Sequence, residues 1–103
     1  MLSTRDRNDM RRNAARAAGL LKMLSHEARL LVLCDLVGTE RSAGELVESS
    51  GLSQSALSQH LAKLRDEGLV ATRREGQAIY YRLADGNAAT VIETLQELYC
   101  RRR

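Results

Sequence analysis

Apolar residues recur at the three- and four-residue spacing of an α-helix through the first third of the chain. Residues 1–10 are mostly polar, and the first apolar stripe that follows them predicts a helix: Ala14, Ala17, Ala18, Leu21 and Leu24. A second stripe from Leu30 to Val37 predicts another helix, with Ser25 as its N-cap and Gly38 at its end. Because Cys34 belongs to this stripe, its side chain is expected to point inward.

Two short helices follow, with a tight turn between them. Ser42 and Glu45 have the spacing of a capping box, in which the hydroxyl and the carboxylate each accept a backbone N–H, and Gly51 ends the helix that they begin. Ser53 is the predicted N-cap of the next helix, and Gly68 is its predicted left-handed terminus. The apolar stripe of that helix consists of Leu57, Leu61 and Leu64.

The apolar pattern changes after Gly68. Residues 69–74 and 78–83 are rich in β-branched, aromatic and alternating side chains, and Gly76 between them tolerates a positive φ, so they predict a two-stranded hairpin. A final stripe from Ala88 to Tyr99 predicts a helix with Asn87 as its N-cap. The order α-α-α-α-β-β-α is a mainly α fold with a small β-hairpin, arranged as a winged helix-turn-helix.

In a helix-turn-helix, the second helix of the pair enters the major groove of DNA. Opposite its leucine stripe, the predicted fourth helix carries small or amide side chains, which can donate to and accept from base edges without holding the helix away. The candidate base-reading residues are Gln54, Ser55, Ser58, Gln59 and, as a secondary candidate, His60. The alternatives are a solvated helix face for the whole set and a packed side chain for His60.

Other polar residues are candidates for contacts with the DNA backbone or the adjacent minor groove. They lie at the starts of the two short helices, at the end of the fourth helix and in the hairpin, which forms the wing. This set consists of Ser42, Ser53, Lys63, Arg65, Arg73, Arg74 and Gln77. We expect these residues to contribute affinity more than sequence preference.

The apolar stripes of the first and last helices are larger than the rest of a small domain can cover, so they imply a partner surface. Packing of these helices across a two-fold axis would form a homodimer. Its two recognition helices would lie ~34 Å apart and match a palindromic operator.

The length of 103 residues limits the chain to one domain. We predict a flexible basic N-terminus at residues 1–10, a DNA-binding and dimerisation domain at residues 11–100, and a basic tail at residues 101–103. Sixteen Lys and Arg against thirteen Asp and Glu give a net charge of +3, a mild indication of a polyanionic partner. No apolar run reaches the ~18 residues of a membrane span, which predicts a cytoplasmic location.

Three phrases resemble the ArsR family of bacterial repressors: LSHEARL at residues 24–30, GLSQSALSQHL at residues 51–61, and Tyr80-Tyr81. The resemblance extends from residue 14 to residue 100. It implies a dimer of winged helices that binds operator DNA and releases it when an inducer is sensed, commonly a toxic metal ion or metalloid.

The metal sites of that family are not found in this sequence. Residues 44–50, where metal-sensing members often carry a cysteine cluster, contain no thiol, and residues 87–99 contain no histidine. The two histidines of the chain, His26 and His60, lie elsewhere. We therefore predict no metal site and no cofactor.

The two cysteines remain as candidates for sensing. Cys34 and Cys100 are similar to the thiol pair of the subgroup that senses reactive sulfur species, which includes biofilm-growth-associated and sulfide-responsive repressors. A thiolate attacks a persulfide or polysulfide, and a second thiol then traps the product as a bridge. Because three arginines follow Cys100, we expect Cys100 to react before Cys34.

Other interpretations remain open at this point. Cys34 can be a small buried hydrophobe and Cys100 an incidental exposed thiol. The same thiols can hold a soft metal, a metalloid, an organometal or heme. The chain lacks a CxxC motif, a phosphate loop and a Ser/His/Asp set, so no catalytic residues are assigned and an enzyme is not predicted. A dimerisation module without DNA binding is the last alternative.

Overall fold

The computed structural model describes residues 2–100, so the predicted basic tail at residues 101–103 lies outside the described residues. Five helices and a three-stranded sheet confirm the mainly α winged helix-turn-helix fold. The elements are α1 (Thr4–Leu24), α2 (Glu27–Asp35), β1 (Arg41–Ser42), α3 (Ala43–Ser50), α4 (Gln54–Asp66), β2 (Val70–Glu75), β3 (Ala78–Leu83) and α5 (Gly86–Tyr99). No helix in the described part of the chain is long and apolar enough to cross a membrane.

The caps of α3 and α4 are those predicted. Ser42 Oγ accepts the Glu45 N–H at 3.2 Å and Glu45 Oε1 accepts the Ser42 N–H at 2.9 Å, which completes the capping box. Ser53 Oγ accepts the Ala56 N–H at 3.1 Å. Between the helices, Gly51 has a φ of +70°, a conformation that glycine adopts without a Cβ clash. These local bonds set the turn that aims α4.

Two predicted caps are wrong, and α1 begins earlier than expected. Ser25 ends α1, where its hydroxyl donates to the Lys22 carbonyl at 2.8 Å, and His26 Nδ1 caps α2 instead by accepting the Ala28 N–H. Asn87 is not the cap of α5, because the Asp85 carboxylate accepts the N–H groups of residues 87 and 88. Ser3 caps α1 at residue 4, so the helix includes most of the segment predicted to be flexible.

The sheet contains a strand that the sequence pattern did not predict. Arg41 and Ser42 form β1, which pairs antiparallel with Tyr81 and Tyr80 of β3, so the strand order is β1-β3-β2. A two-residue strand is too short to show alternation, which explains why it was missed. The predicted hairpin is confirmed, with Gly76 at a φ of +62° in its turn. The sheet thus ties the wing to the start of α3.

The core is entirely aliphatic and is centred on α2. The side chains of Val32, Leu33 and Leu36 are fully buried, and they pack with the α4 stripe of leucines and with α3 and α5. In contrast, α1 buries only its last two residues, Met23 and Leu24. Most of its predicted apolar stripe therefore lies outside the core of the single chain.

We predict that Ser53→Ala lowers the free energy of unfolding by about 1 kcal/mol, because the first turn of α4 loses the acceptor for the Ala56 N–H. Chemical denaturation measures this change. Ser53→Asp should restore most of the stability, and Ser58→Ala, an exposed position on the same helix, is the matched control. Equal stability of the Ser53→Ala and Ser58→Ala variants would contradict the assigned cap.

Candidate nucleic-acid interface and thiol pair

One face of α4 is exposed and polar, as predicted. Gln54, Ser55, Ser58 and Gln59 are exposed, while the leucine stripe on the opposite face is buried. Gln54 and Ser58 also line an open cleft between α3 and α4, whose α3 wall consists of small side chains and Val47. The four residues therefore share an accessible surface, and their role in base reading stays a prediction.

His60 lies on the flank of α4 that faces α2, apart from the exposed polar face. Its ring packs edge-on against the ring of His26, with 4.6 Å between ring centroids and an interplanar angle of 62°. Burial lowers the pKa of His60, and the neighbouring His26 and the Arg29 guanidinium lower it further. The packed interpretation of His60 is thus the one that its surroundings favour.

The predicted backbone-contact residues differ in how far they are committed to other bonds. Ser42 and Ser53 use their hydroxyls as N-caps, and the Lys63 ammonium lies 3.8 Å from the Glu67 carboxylate. Arg65, Arg74 and Gln77 are exposed and make no side-chain hydrogen bond or ion pair within residues 2–100. These three are the members of the set whose polar side chains are not engaged by other residues of the described chain.

The guanidinium of Arg73 is bound by other side chains of the protein. Its guanidinium donates to both oxygens of Glu40 at 2.7–3.2 Å and to Glu75 at 2.6 Å, and it lies 4.6 Å above the centre of the Tyr80 ring. The hydrogen bond from Arg73 lowers the pKa of Glu40. Sequence reasoning missed Glu40, since a partner 33 residues away leaves no local signal. Arg73 therefore links the wing to the segment before β1, and a phosphate would have to displace carboxylates to bind it.

The two cysteines belong to α2 and to the end of α5, two helices that pack against each other. Cys34 is half-buried in α2, and Cys100 is exposed at the end of α5. Burial raises the pKa of the Cys34 thiol, and the electrostatic influence of the neighbouring Cys100 and Asp35 raises it further. The arginines expected to activate Cys100 lie outside the described residues.

Gln96 connects the two cysteines, and sequence reasoning missed it. Its side-chain amide donates to the Cys34 carbonyl at 3.5 Å, and a hydrogen bond from the same side chain to the thiol partly lowers the pKa of Cys34. The Cys100 N–H donates to the Gln96 carbonyl at 2.8 Å. The four-residue spacing from Cys100 places Gln96 one helical turn away but does not by itself indicate a contact with α2.

Large apolar side chains on three helices are exposed in the single chain. The last turn of α5 carries Leu98 and Tyr99, which are 70% and 81% exposed, and Met10, Leu21 and Leu31 are exposed on α1 and α2. The apolar residues mark a surface suited to a partner.

Within residues 2–100, no three His, Cys, Asp or Glu side chains are grouped so that they could hold a metal ion.

Comparison with known proteins shows extensive similarity. Residues 26–72 match the description "Bacterial regulatory protein, arsR family". The transcriptional activator HlyU of Vibrio cholerae is 50% identical over 89% of this chain and 85% of its own. The biofilm growth-associated repressor of Xylella fastidiosa is 45% identical over 91% of this chain and 82% of its own.

Solved structures extend this similarity to the fold. The structure of reduced HlyU from Vibrio cholerae has a TM-score of 0.86 at 49% identity, and it covers 90% of this chain and 98% of that chain. The transcriptional repressor BigR from Xylella fastidiosa has a TM-score of 0.86 at 44% identity, with 93% and 98% covered. The similarity thus includes the helices on both sides of the helix-turn-helix.

We predict that Gln96→Leu raises the pKa of Cys34, because the thiolate loses a hydrogen-bond donor. The rate of Cys34 alkylation by iodoacetamide, measured against pH in a Cys100→Ser background, should shift to higher pH. Gln59→Leu, the same change at an exposed position of α4, is the matched control and should leave the profile unchanged. A profile that Gln96→Leu does not move would contradict the assigned hydrogen bond.

Proposed function

This chain belongs to the ArsR family of bacterial DNA-binding transcriptional regulators. We propose that it is a homodimeric repressor that leaves its operator when Cys34 and Cys100 react. The observation that carries this proposal is the position of Gln96 on α5, which donates to the Cys34 carbonyl and accepts the Cys100 N–H, so that one residue adjoins both cysteines. One similar protein is named as a repressor, and one similar structure is described as reduced HlyU. The first name supports a repressor, and the second description supports a thiol-dependent regulator, while HlyU itself is named as an activator.

The DNA-binding part of the proposal assigns α4 to the major groove. Its exposed polar face presents hydroxyl and amide groups, and the accessible Arg65 and Arg74 lie at its end and on the wing, where DNA phosphates flank the groove. Because Arg73 is engaged by carboxylates, the wing contact is assigned to Arg74 and Gln77. The partner is double-stranded operator DNA in the cytoplasm.

The dimer is assigned to the surface formed by α1 and α5. Most of α1 lies outside the core, and the exposed Leu98 and Tyr99 continue an apolar face at the end of α5. A second copy would bury these side chains, at about 25 cal/mol for each Å² removed from water. A two-fold axis through this surface would present two α4 helices to a palindromic operator.

The switch is a thiol–polysulfide exchange. A cysteine thiolate attacks an inorganic polysulfide, one S–S bond breaks, and a shorter polysulfide leaves with the electron pair, so that a cysteine persulfide forms. The second thiolate attacks the sulfur of the first cysteine and displaces hydrosulfide, which leaves a disulfide. The two thiols are oxidised by two electrons and the polysulfide is reduced. The bridge would join α2 to α5 and change the separation of the two α4 helices.

We expect polysulfide to release reduced wild-type protein from operator DNA, measured by fluorescence anisotropy at fixed salt. Mass spectrometry should then show Cys34 and Cys100 linked, with or without added sulfur. Cys34→Ser should bind DNA normally and resist release, because one thiol cannot form the bridge. Hydrogen peroxide and oxidised glutathione, applied in parallel, distinguish a reactive-sulfur inducer from a general oxidant.

Release of the Cys34→Ser variant from operator DNA by polysulfide would contradict the proposed two-thiol switch. Unchanged binding of the wild type under all three oxidants would also contradict it. A heme or soft-metal absorption band that disappears in Cys100→Ser would favour the alternative in which the same thiols hold a ligand.

We expect the reduced protein to sediment at twice the 11.5 kDa mass of one chain. Leu98→Asp should shift analytical ultracentrifugation toward the single-chain mass, because it places a charge in the proposed apolar interface. Gln77→Asp adds the same charge at the wing turn and is the control. If the dimer is unaffected by Leu98→Asp, the interface does not include the end of α5.

A further inference from the structure

Two histidine rings meet at the corner where α2 begins and packs against α4, and Arg29 lies in the same turn of α2. His26 is exposed and is the N-cap of α2, and its ring contacts the ring of His60 on α4. Arg29 lies three residues further along α2, near enough to His60 to act on its protonation. Sequence reasoning gave no role to His26 or Arg29.

The guanidinium of Arg29 has no acidic partner in the described part of the chain. Its Nε is buried without an acceptor, and Nη1 donates only to the sulfur of Met23 at 3.2 Å, a weak acceptor. Nη2 makes no hydrogen bond within residues 2–100 and is not among the buried unsatisfied atoms. The packed stem therefore holds a charged head whose outer nitrogen is accessible.

No carboxylate is among the groups that act on the protonation of His60. Apart from burial, those groups are His26 and Arg29. Glu27, in the first turn of α2, is exposed and forms no ion pair in the described chain. A partly buried guanidinium without an acidic partner is stabilised by an anion, and the two neighbouring imidazole rings can donate a ring N–H to the same anion.

The location of this corner indicates which anion would bind. His60 belongs to α4, on the flank beside the exposed polar face, and DNA phosphates line both sides of a groove that holds a helix. The free N–H groups and the dipole at the start of α2 also favour a negative charge there. His26 is exposed at the same point, so a phosphate can approach from solvent.

We propose that Arg29, with His26 and His60, binds one phosphate of the DNA backbone beside the groove entered by α4. The inference rests on the proposed binding of DNA through α4. It gives His60 a role in backbone positioning instead of base reading. It also means that α2 contacts DNA through its first turn while its other face carries Cys34.

The test uses the salt dependence of binding to an operator duplex selected from a random library. Each phosphate contact contributes a slope of about 0.9 to the plot of log affinity against log salt concentration. Arg29→Gln should lower that slope by about 0.9 and weaken binding about tenfold, on operator and random duplexes alike. Arg29→Lys should keep most of the slope, and Arg16→Gln on α1 is the matched control for loss of one exposed cation.

A methylphosphonate scan then locates the contact. Replacement of a single operator phosphate by a neutral methylphosphonate should weaken binding of wild type at one position per half-site, and the same replacement should have little effect on Arg29→Gln. Such coupling between the phosphate replacement and the Arg29→Gln substitution arises when the two groups are in contact. A merely structural role of Arg29 would not produce it. If Arg29→Gln fails to fold, His60→Gln should show the same coupling.

The outcomes separate this inference from the proposed function. Wild type that binds no duplex DNA refutes the proposed function and this inference together. Normal DNA binding with an unchanged salt slope and no coupling in Arg29→Gln refutes the inference alone. Binding of inorganic phosphate at this corner, detected by shifts of the histidine ring protons, without any change in the DNA slope would also refute it, because the site would then take free phosphate.

Discussion

The burial of Val32, Leu33 and Leu36 holds α2 at the centre of the fold, and the rest of the structure depends on it. The described chain has no buried polar side chain in its core and, without Phe or Trp, relies on aliphatic packing alone. Because α2 contacts α1, α3, α4 and α5, its three central side chains fix the positions of the recognition helix and of the last helix together. A small close-packed core of this kind transmits a displacement instead of absorbing it.

This arrangement places two kinds of chemistry on one short helix. Cys34 lies beside Gln96 of α5, whereas the ring of His26 contacts His60 of α4. A short helix of nine residues is stiffened by its intrahelical hydrogen bonds, so we expect it to move as a rigid body. A bridge that pulled the Cys34 side toward α5 would therefore also change how the first turn of α2 meets α4. Coupling between the proposed thiol switch and the DNA interface needs no contact pathway beyond this helix.

The parts of the fold that were predictable from sequence are those determined by local physics. Ser42, Ser53 and Gly51 sit in patterns whose hydrogen bonds close within three or four residues, so the helix-turn-helix was found with its boundaries. Ser25 and Asn87 were misassigned because a neighbouring side chain, His26 or Asp85, also reaches the free N–H groups. Local pattern alone does not rank two adjacent acceptors.

The candidate sites were less predictable because tertiary contacts decide them. Glu40 captures Arg73 and Gln96 meets Cys34 only after distant elements pack, and neither contact has a signature in residue spacing. Its charge and its place in the wing predicted Arg73 as a DNA contact, yet its carboxylate partners make it a structural link between the wing and the segment before β1. The reverse holds for Arg29: the sequence predicted no role for it, and only its buried Nε without an acceptor in the folded, described chain distinguishes it. For a small regulator, the unpaired cation is thus more informative than the number of cations.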